Sequence, residues 1–123
     1  MIVGVGVDII EVARIRAAVE RPATGVRFRA RVFTPQERAY CERRRNAAES
    51  FAARFAAKEA VMKALGRLLP WCDIEVVRTD GPPSVRLRGR AAARAEGLGI
   101  RRISLSLSHT AELAIAYVIA ESE

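Results

Sequence analysis

Four charged residues stand where purely structural elements would not need them: Asp8, Lys58, Glu59 and Lys63. The last three fall in Phe51-Ala-Ala-Arg-Phe-Ala-Ala-Lys58-Glu59-Ala-Val-Met-Lys63-Ala-Leu-Gly66. Here Phe51, Phe55, Met62 and Leu65 recur at helical spacing and form one apolar stripe. Lys58 falls inside the stripe, and Glu59 projects from its flank with Lys63 one turn further on. As an isolated i,i+4 pair, Glu59 and Lys63 would be worth only about 0.2–0.5 kcal/mol on a solvated helix face. Ala52, Ala56, Ala60 and Ala64 form a smooth lane beside them, open to close approach by a backbone or a ligand. Ser50 is a candidate N-cap for the run and Gly66 its stop.

Asp8 closes the opening segment Ile2-Val-Gly4-Val-Gly6-Val-Asp8. Strand alternation sends Val3, Val5 and Val7 to one face and Gly4, Gly6 and Asp8 to the other. Two glycines thus clear space beside one carboxylate, which in a strand marks close approach by another backbone or a ligand. The Gly4-Val-Gly6 fragment is not a dinucleotide fingerprint, because Ile9 stands where the third glycine is needed.

These residues must be positioned by one domain, since 123 residues support a single core spanning 1–123. The pattern predicts strands at 2–8, 73–78, 84–88, 103–109 and 113–120. Helices are predicted at 11–20, 34–45, 47–65 and 89–97. Thr34, Pro35 and Glu37 carry the signature of a capping box. A turn at Asp80-Gly81-Pro82-Pro83 joins the two middle strands, and Thr110-Ala111-Glu112 joins the last two as a hairpin. Helices and antiparallel strands are mixed without a βαβ rhythm, so the fold class is α+β with a mainly antiparallel sheet.

Lys and Arg outnumber Asp and Glu by 21 to 14, a net charge of +7 that favours a polyanionic partner. A GC-rich coding sequence, which writes Arg and Ala often, would give the same bias. Cys41 and Cys72 form no CxxC and no disulfide framework, which fits reduced thiols in a cytoplasmic protein. No signal peptide or membrane span is expected. A basic nucleic-acid-binding module is a competing reading. Against it, the four Phe, two Tyr and one Trp are not interleaved with basic residues as a stacking platform, and there is no zinc or recognition-helix motif.

Three motifs occur in order: Gly-x-Gly-x-Asp8-Ile-x-Glu11, Phe55-Ala-Ala-Lys58-Glu59-Ala-x-x-Lys63-Ala-Leu-Gly66, and Ser104-Leu-Ser-Leu-Ser-His109-Thr110. Through them nearly the whole chain resembles the holo-acyl-carrier-protein synthases, the short 4′-phosphopantetheinyl transferases. Phe33-Thr34 with Glu37 and Tyr40, and Trp71-x-Asp73-Ile-Glu75, also resemble that family's connecting segments. The resemblance implies transfer of the phosphopantetheine arm of coenzyme A to a serine of apo-acyl carrier protein, with release of adenosine 3′,5′-bisphosphate, in fatty acid or polyketide synthesis. It implies Mg²⁺, or Mn²⁺ in its place, held by Asp8 and Glu59, with Glu59 and Lys63 catalytic. Arg54, Gly66 and His109 are the implied coenzyme A-binding residues, with the Arg43-Arg44-Arg45 run close by.

The acidic carrier protein is expected to dock on Arg14 and Arg21, which lie seven apart on the first helix, with Arg27, Arg29 and Arg31 as neighbours. The family is a homotrimer with active sites between subunits, so the same assembly is implied here. A non-catalytic carrier-protein-binding relative is the nearer alternative, and retention of Asp8, Glu59 and Lys63 speaks against it. Two departures concern coenzyme A contacts. Gly66 leads through only Arg67-Leu-Leu-Pro70 to Trp71, where many relatives have a longer glycine-rich loop, and Gly81-Pro82-Pro83 lacks the lysine of a common Gly-Lys-Pro turn.

Overall fold

A computed structural model describes residues 1–123. Its organising element is one long helix that is apolar on nearly every side and therefore runs through the core instead of lying on the surface. The elements run β1 (Ile2–Glu11), α1 (Val12–Glu20), α2 (Gly25–Val32), α3 (Pro35–Glu42), α4 (Ala47–Leu65), a 3₁₀ turn at Trp71–Asp73, β2 (Ile74–Val77), β3 (Ser84–Leu87), α5 (Gly89–Gly97), β4 (Arg102–His109) and β5 (Leu113–Glu121). One antiparallel sheet has the order β1-β5-β4, and β2 and β3 form a separate hairpin. The α+β class, the antiparallel pairing and the C-terminal hairpin agree with the sequence pattern.

The inner face of the three-stranded sheet lies on α4 and is built from small residues. Ala114, Ala116, Val118 and Ala120 of β5 are fully buried, and the Ala lane of α4 faces the sheet. The fit is closest at β1. A Cβ on Gly4 would stand 2.0 Å from the carbonyl oxygen of Ala64, and one on Gly6 1.8 Å from that of Ala60. The approach anticipated from the two glycines is therefore made by the backbone of α4. The valine face points outward, so Val3, Val5, Val7 and Ile9 of β1 join Leu113, Ile115 and Tyr117 of β5 as an exposed apolar surface.

Several boundaries differ from the sequence expectation. β1 continues through Ile9 and Ile10 to Glu11, because β5 pairs with it as far as the Glu11–Leu113 position. A helix at 25–32 was absent from the sequence reading: Val26, Phe28, Ala30 and Val32 alternate with Arg27, Arg29 and Arg31, which is the period of a strand. Tertiary contacts override that period. Val32 is buried in the core, and the Arg29 guanidinium donates to the carbonyl of Val19 near the end of α1. α3 stops at Glu42 instead of 45. The capping box at its start forms as expected, with Glu37 N donating to Thr34 Oγ1 at 3.2 Å and Thr34 N to Glu37 Oε1 at 2.9 Å. Ser50 is not an N-cap, since α4 begins three residues earlier after Asn46. Its hydroxyl accepts from Arg54 and donates to the sulfur of Cys41. Gly66 ends α4 with φ 70°, the left-handed stop expected of it. Both cysteines are free, and no helix is long and apolar enough to cross a membrane.

Candidate active site

Asp8 reaches the site because β1 is pressed onto α4 by its two glycines. In register, Asp8 stands opposite Ala116, whose small side chain leaves the inner face open beside the carboxylate. Glu59 and Lys63 come from α4, one turn apart. Lys63 does not pair with Glu59. Its ammonium donates to Asp8 Oδ1 at 3.1 Å and to the carbonyl of Val7 at 3.0 Å, so strand and helix are clamped at the reacting end. The second Asp8 oxygen, Oδ2, is buried and has no partner.

Glu59 is held above the usual carboxylate range. Partial burial is the main cause and the nearby Asp8 charge adds to it, while Lys63 and Arg14 act in the opposite direction. Two carboxylates brought together with one oxygen unpartnered form an electron-rich pair in want of a cation. No group of three or more His, Cys, Asp or Glu residues is placed to ligate a metal. Asp8 and Glu59 are thus the two protein carboxylates that the site offers to a cation.

A cavity of about 400 Å³ opens beside Glu59, walled by Glu59, Met62 and Lys63 of α4 with its cap Gly66, and by Leu68 and Trp71 of the segment that follows. The short linker after α4 brings Trp71 back over the helix, where its ring stacks on Phe55 at 4.9 Å between centroids. Lys58 belongs to neither wall. It is fully buried, and its ammonium lies 2.7 Å from Glu37 Oε1.

Arg54 and His109 line a different place, a cleft of about 560 Å³ between the start of α4 and the end of β4. Arg43, Arg44, Arg45 and Arg78 line it as well, so it is strongly basic. Arg54 is buried against the Tyr40 ring at 4.1 Å, with Nη1 donating to Ser50 and Nε buried without a partner. His109 Nδ1 lies 2.9 Å from Glu49 Oε1, which orients the ring and leaves Nε2 for a ligand. An arginine-lined cleft with one guanidinium nitrogen unpartnered is an anion site. Within a single chain it shares no wall with the Glu59 cavity.

Arg14 sits on α1 close enough to Glu59 to lower its proton affinity. Arg21 lies just beyond α1 as its C-cap, in extended conformation, so the two arginines do not share one continuous helix face as their spacing suggested. Instead, Arg21 lines a shallow basic depression with Arg27, Phe28 and Arg31. Sequence reasoning missed the Trp71 wall and Tyr40, whose only sequence signal was their place in connecting segments.

The family model for the 4′-phosphopantetheinyl transferase superfamily matches residues 4–118. The holo-[acyl-carrier-protein] synthase of Anaeromyxobacter sp. strain K is 52% identical over 124 residues, covering 98% of this chain and 97% of that protein. The crystal structure of the Helicobacter pylori holo-[acyl-carrier-protein] synthase in complex with coenzyme A superposes with a TM-score of 0.82 at 31% identity, over 95% of this chain and 99% of that one. A Bacillus anthracis holo-(acyl-carrier-protein) synthase in complex with CoA (3′,5′-ADP) gives 0.80 at 35% identity, over 100% and 99%.

Proposed function

This chain belongs to the 4′-phosphopantetheinyl transferase superfamily, and from that premise we propose how its residues carry the reaction. The chain transfers the phosphopantetheine arm of coenzyme A to a serine of apo-acyl carrier protein. The observation that carries the assignment of roles is the 3.1 Å contact of Asp8 from β1 with Lys63 from α4, close enough to Glu59 for both charges to act on it, with Glu59 and Lys63 lining one cavity.

The serine oxygen attacks the phosphorus that bears the pantetheine. A P–O bond forms to serine, the bond to adenosine 3′,5′-bisphosphate breaks, and the leaving oxygen keeps the electron pair. Glu59, the carboxylate that lines the cavity, takes the serine proton. Asp8 Oδ2 and Glu59 are the protein ligands for Mg²⁺, which, when bound, offsets charge on the pyrophosphate oxygens. Lys63 is released from Asp8 Oδ1 to a phosphate oxygen and stabilises charge growing on the leaving group.

Arg54 Nε and His109 Nε2 contact the phosphorylated ribose of coenzyme A, with Gly66 against the arm where the helix ends. Because the basic cleft and the Glu59 cavity are separate in one chain, a complete site takes its two halves from neighbouring subunits. The exposed apolar face of Val3, Val5, Val7, Ile9, Leu113, Ile115 and Tyr117 supports self-association that covers it, and the resemblance to the family makes the assembly a homotrimer, working in the cytoplasm. Arg14 and Arg21, with Arg27 and Arg31, receive the acidic carrier protein. The domain works as one unit over 1–123.

The test is incubation with coenzyme A, Mg²⁺ and apo-acyl carrier protein, read by mass spectrometry for addition of the arm. Transfer that is lost in Asp8→Ala and in excess EDTA is expected. Full transfer by Asp8→Ala, or in EDTA, would overturn the metal assignment, and light scattering showing a monomer would overturn the shared site.

A further inference from the structure

We infer that Lys58, the charged neighbour of Glu59 on α4, is a positioning residue that holds the Trp71 wall of the substrate cavity and takes no part in phosphoryl chemistry. The inference rests on the transferase reading of that cavity. Next to Glu59 and five residues before Lys63, Lys58 has the sequence position of a third reacting charge. Its surroundings assign it elsewhere. The side chain is fully buried, and all three donor positions of the ammonium are taken: Glu37 Oε1 at 2.7 Å, the carbonyl of Ile74 at 2.6 Å and the carbonyl of Trp71 at 3.0 Å. Nothing remains for a phosphate.

The partners explain what the charge does. Glu37 is fully buried too, and its other oxygen accepts from Val76 N at 2.7 Å while Oε1 also accepts from Thr34 N. One Lys–Glu pair therefore ties the start of α3 and the segment Trp71–Val76 to the middle of α4. Thr34 Oγ1 donates in turn to the buried carboxylate of Glu75, which Arg88 and Arg86 approach at 3.1 and 3.5 Å, so every charge in the cluster is answered. A buried pair of this kind adds little net stability over an apolar isostere, because desolvation offsets the attraction. What an apolar pair cannot supply is two hydrogen bonds to backbone carbonyls on either side of the 3₁₀ turn. Arg67 to Pro70 connect Gly66 to Trp71 with Leu69 buried in the core, and beyond the ring Arg88 N and Arg90 N hold Asp73, so Trp71 lies between two fixed points. The ring is set by its stacking on Phe55 and by the carbonyl anchor from Lys58.

Trp71 is the sole tryptophan, so its fluorescence reports the wall without turnover. Lys58→Met alone would strand a buried carboxylate and endanger the fold. The informative variant is therefore Lys58→Met with Glu37→Gln, nearly isosteric and neutral, read also against Glu37→Gln alone, because in both the Gln amide nitrogen must face a backbone donor at Thr34 or Val76. With circular dichroism unchanged, acrylamide should quench the double variant's Trp71 emission more strongly than in wild type. The KM for coenzyme A should rise about tenfold while kcat stays within about threefold, the pattern of lost positioning of bound substrate. Quenching and KM at wild-type values in the folded variant would overturn the inference. So would a collapse of kcat at unchanged KM, which would make Lys58 a catalytic residue. Hydrogen exchange on the wild-type protein needs no variant: the Val76 amide should exchange only with the slowest amides of α4, and early local opening would refute the anchor. Wild-type protein that transfers nothing would instead refute the transferase reading and leave the fluorescence and exchange results standing.

Discussion

Replacing Gly6 with Ala should damage both stability and transfer, although the residue touches no substrate. The added Cβ would lie 1.8 Å from the carbonyl oxygen of Ala60, 2.8 Å from its carbon and 3.1 Å from the amide nitrogen of Ala64. All three are backbone atoms of α4, so no side chain can rotate away. Restoring an ordinary contact of about 3.5 Å requires β1 and α4 to part by roughly 1.7 Å. Overpacking of a well-filled core costs about 1–3 kcal/mol, and a clash between two backbones belongs at the top of that range. For a chain of this size that is a fall in Tm on the order of 10 °C. The same displacement would open the Lys63–Asp8 contact, now 3.1 Å, beyond hydrogen-bonding distance and draw Asp8 away from Glu59. A misplacement of this size costs on the order of 10²-fold in rate. Calorimetry with the mass-spectrometric transfer assay would read both effects. The matched control is Gly97→Ala at the exposed end of α5, where a new Cβ meets nothing within 4 Å and φ is not positive. It should stabilise by about 0.4–1 kcal/mol and leave transfer unchanged. Gly6→Ala with wild-type Tm and full activity would refute the claim that the glycines position the carboxylate.

Glu59→Gln should abolish transfer and raise the metal-free Tm at neutral pH. With its carboxyl raised, the folded protein holds this proton more tightly than the unfolded chain, so the stability it contributes is present at low pH and lost as pH rises through the folded value. Differential scanning fluorimetry from acid to neutral pH should show that decline in wild type without metal, and a flatter profile in the variant; a variant less stable than wild type at neutral pH would count against it. Lys63→Ala should lower kcat by on the order of 10²-fold with a smaller change in the KM for coenzyme A, because its charge matters most as the leaving group departs. A normal kcat with a weakened KM would reduce it to a binding residue. Arg21→Glu should raise the KM for carrier protein, spare that for coenzyme A and make the reaction less salt-sensitive, since the contact is exposed and screened. Arg14→Glu should in addition shift the acid limb of the pH–rate profile upward, because Arg14 helps keep Glu59 ionised. An unmoved acid limb would place Arg14 in docking alone.

Much of the site could be read from the chain because local periodicity decides which residues share a face. Alternation put Asp8 beside Gly4 and Gly6, and helical spacing put Glu59 and Lys63 one turn apart; both hold in three dimensions. The same rules were blind where the deciding partner lies on another element. Period two in 25–32 reads as a strand, yet Val32 and the Arg29 contact to Val19 make it a helix. Lys63 reads as a partner of Glu59, yet β1 brings Asp8 closer. The sharpest case is the pair Lys58 and Glu59. Neighbours on a helix differ by about 100° in direction, and the apolar stripe already places Lys58 on the buried side and Glu59 on its flank, but the stripe does not say what answers a charge inside the core. The answer comes from Glu37, distant in sequence and legible beforehand only as a capping-box residue, and from two backbone carbonyls at the turn of Trp71, whose pairing with Lys58 no local spacing encodes. A motif written as Lys-Glu thus joins two unlike places, one half-buried charge that lines the cavity and one fully buried charge tied to the segment that carries Trp71.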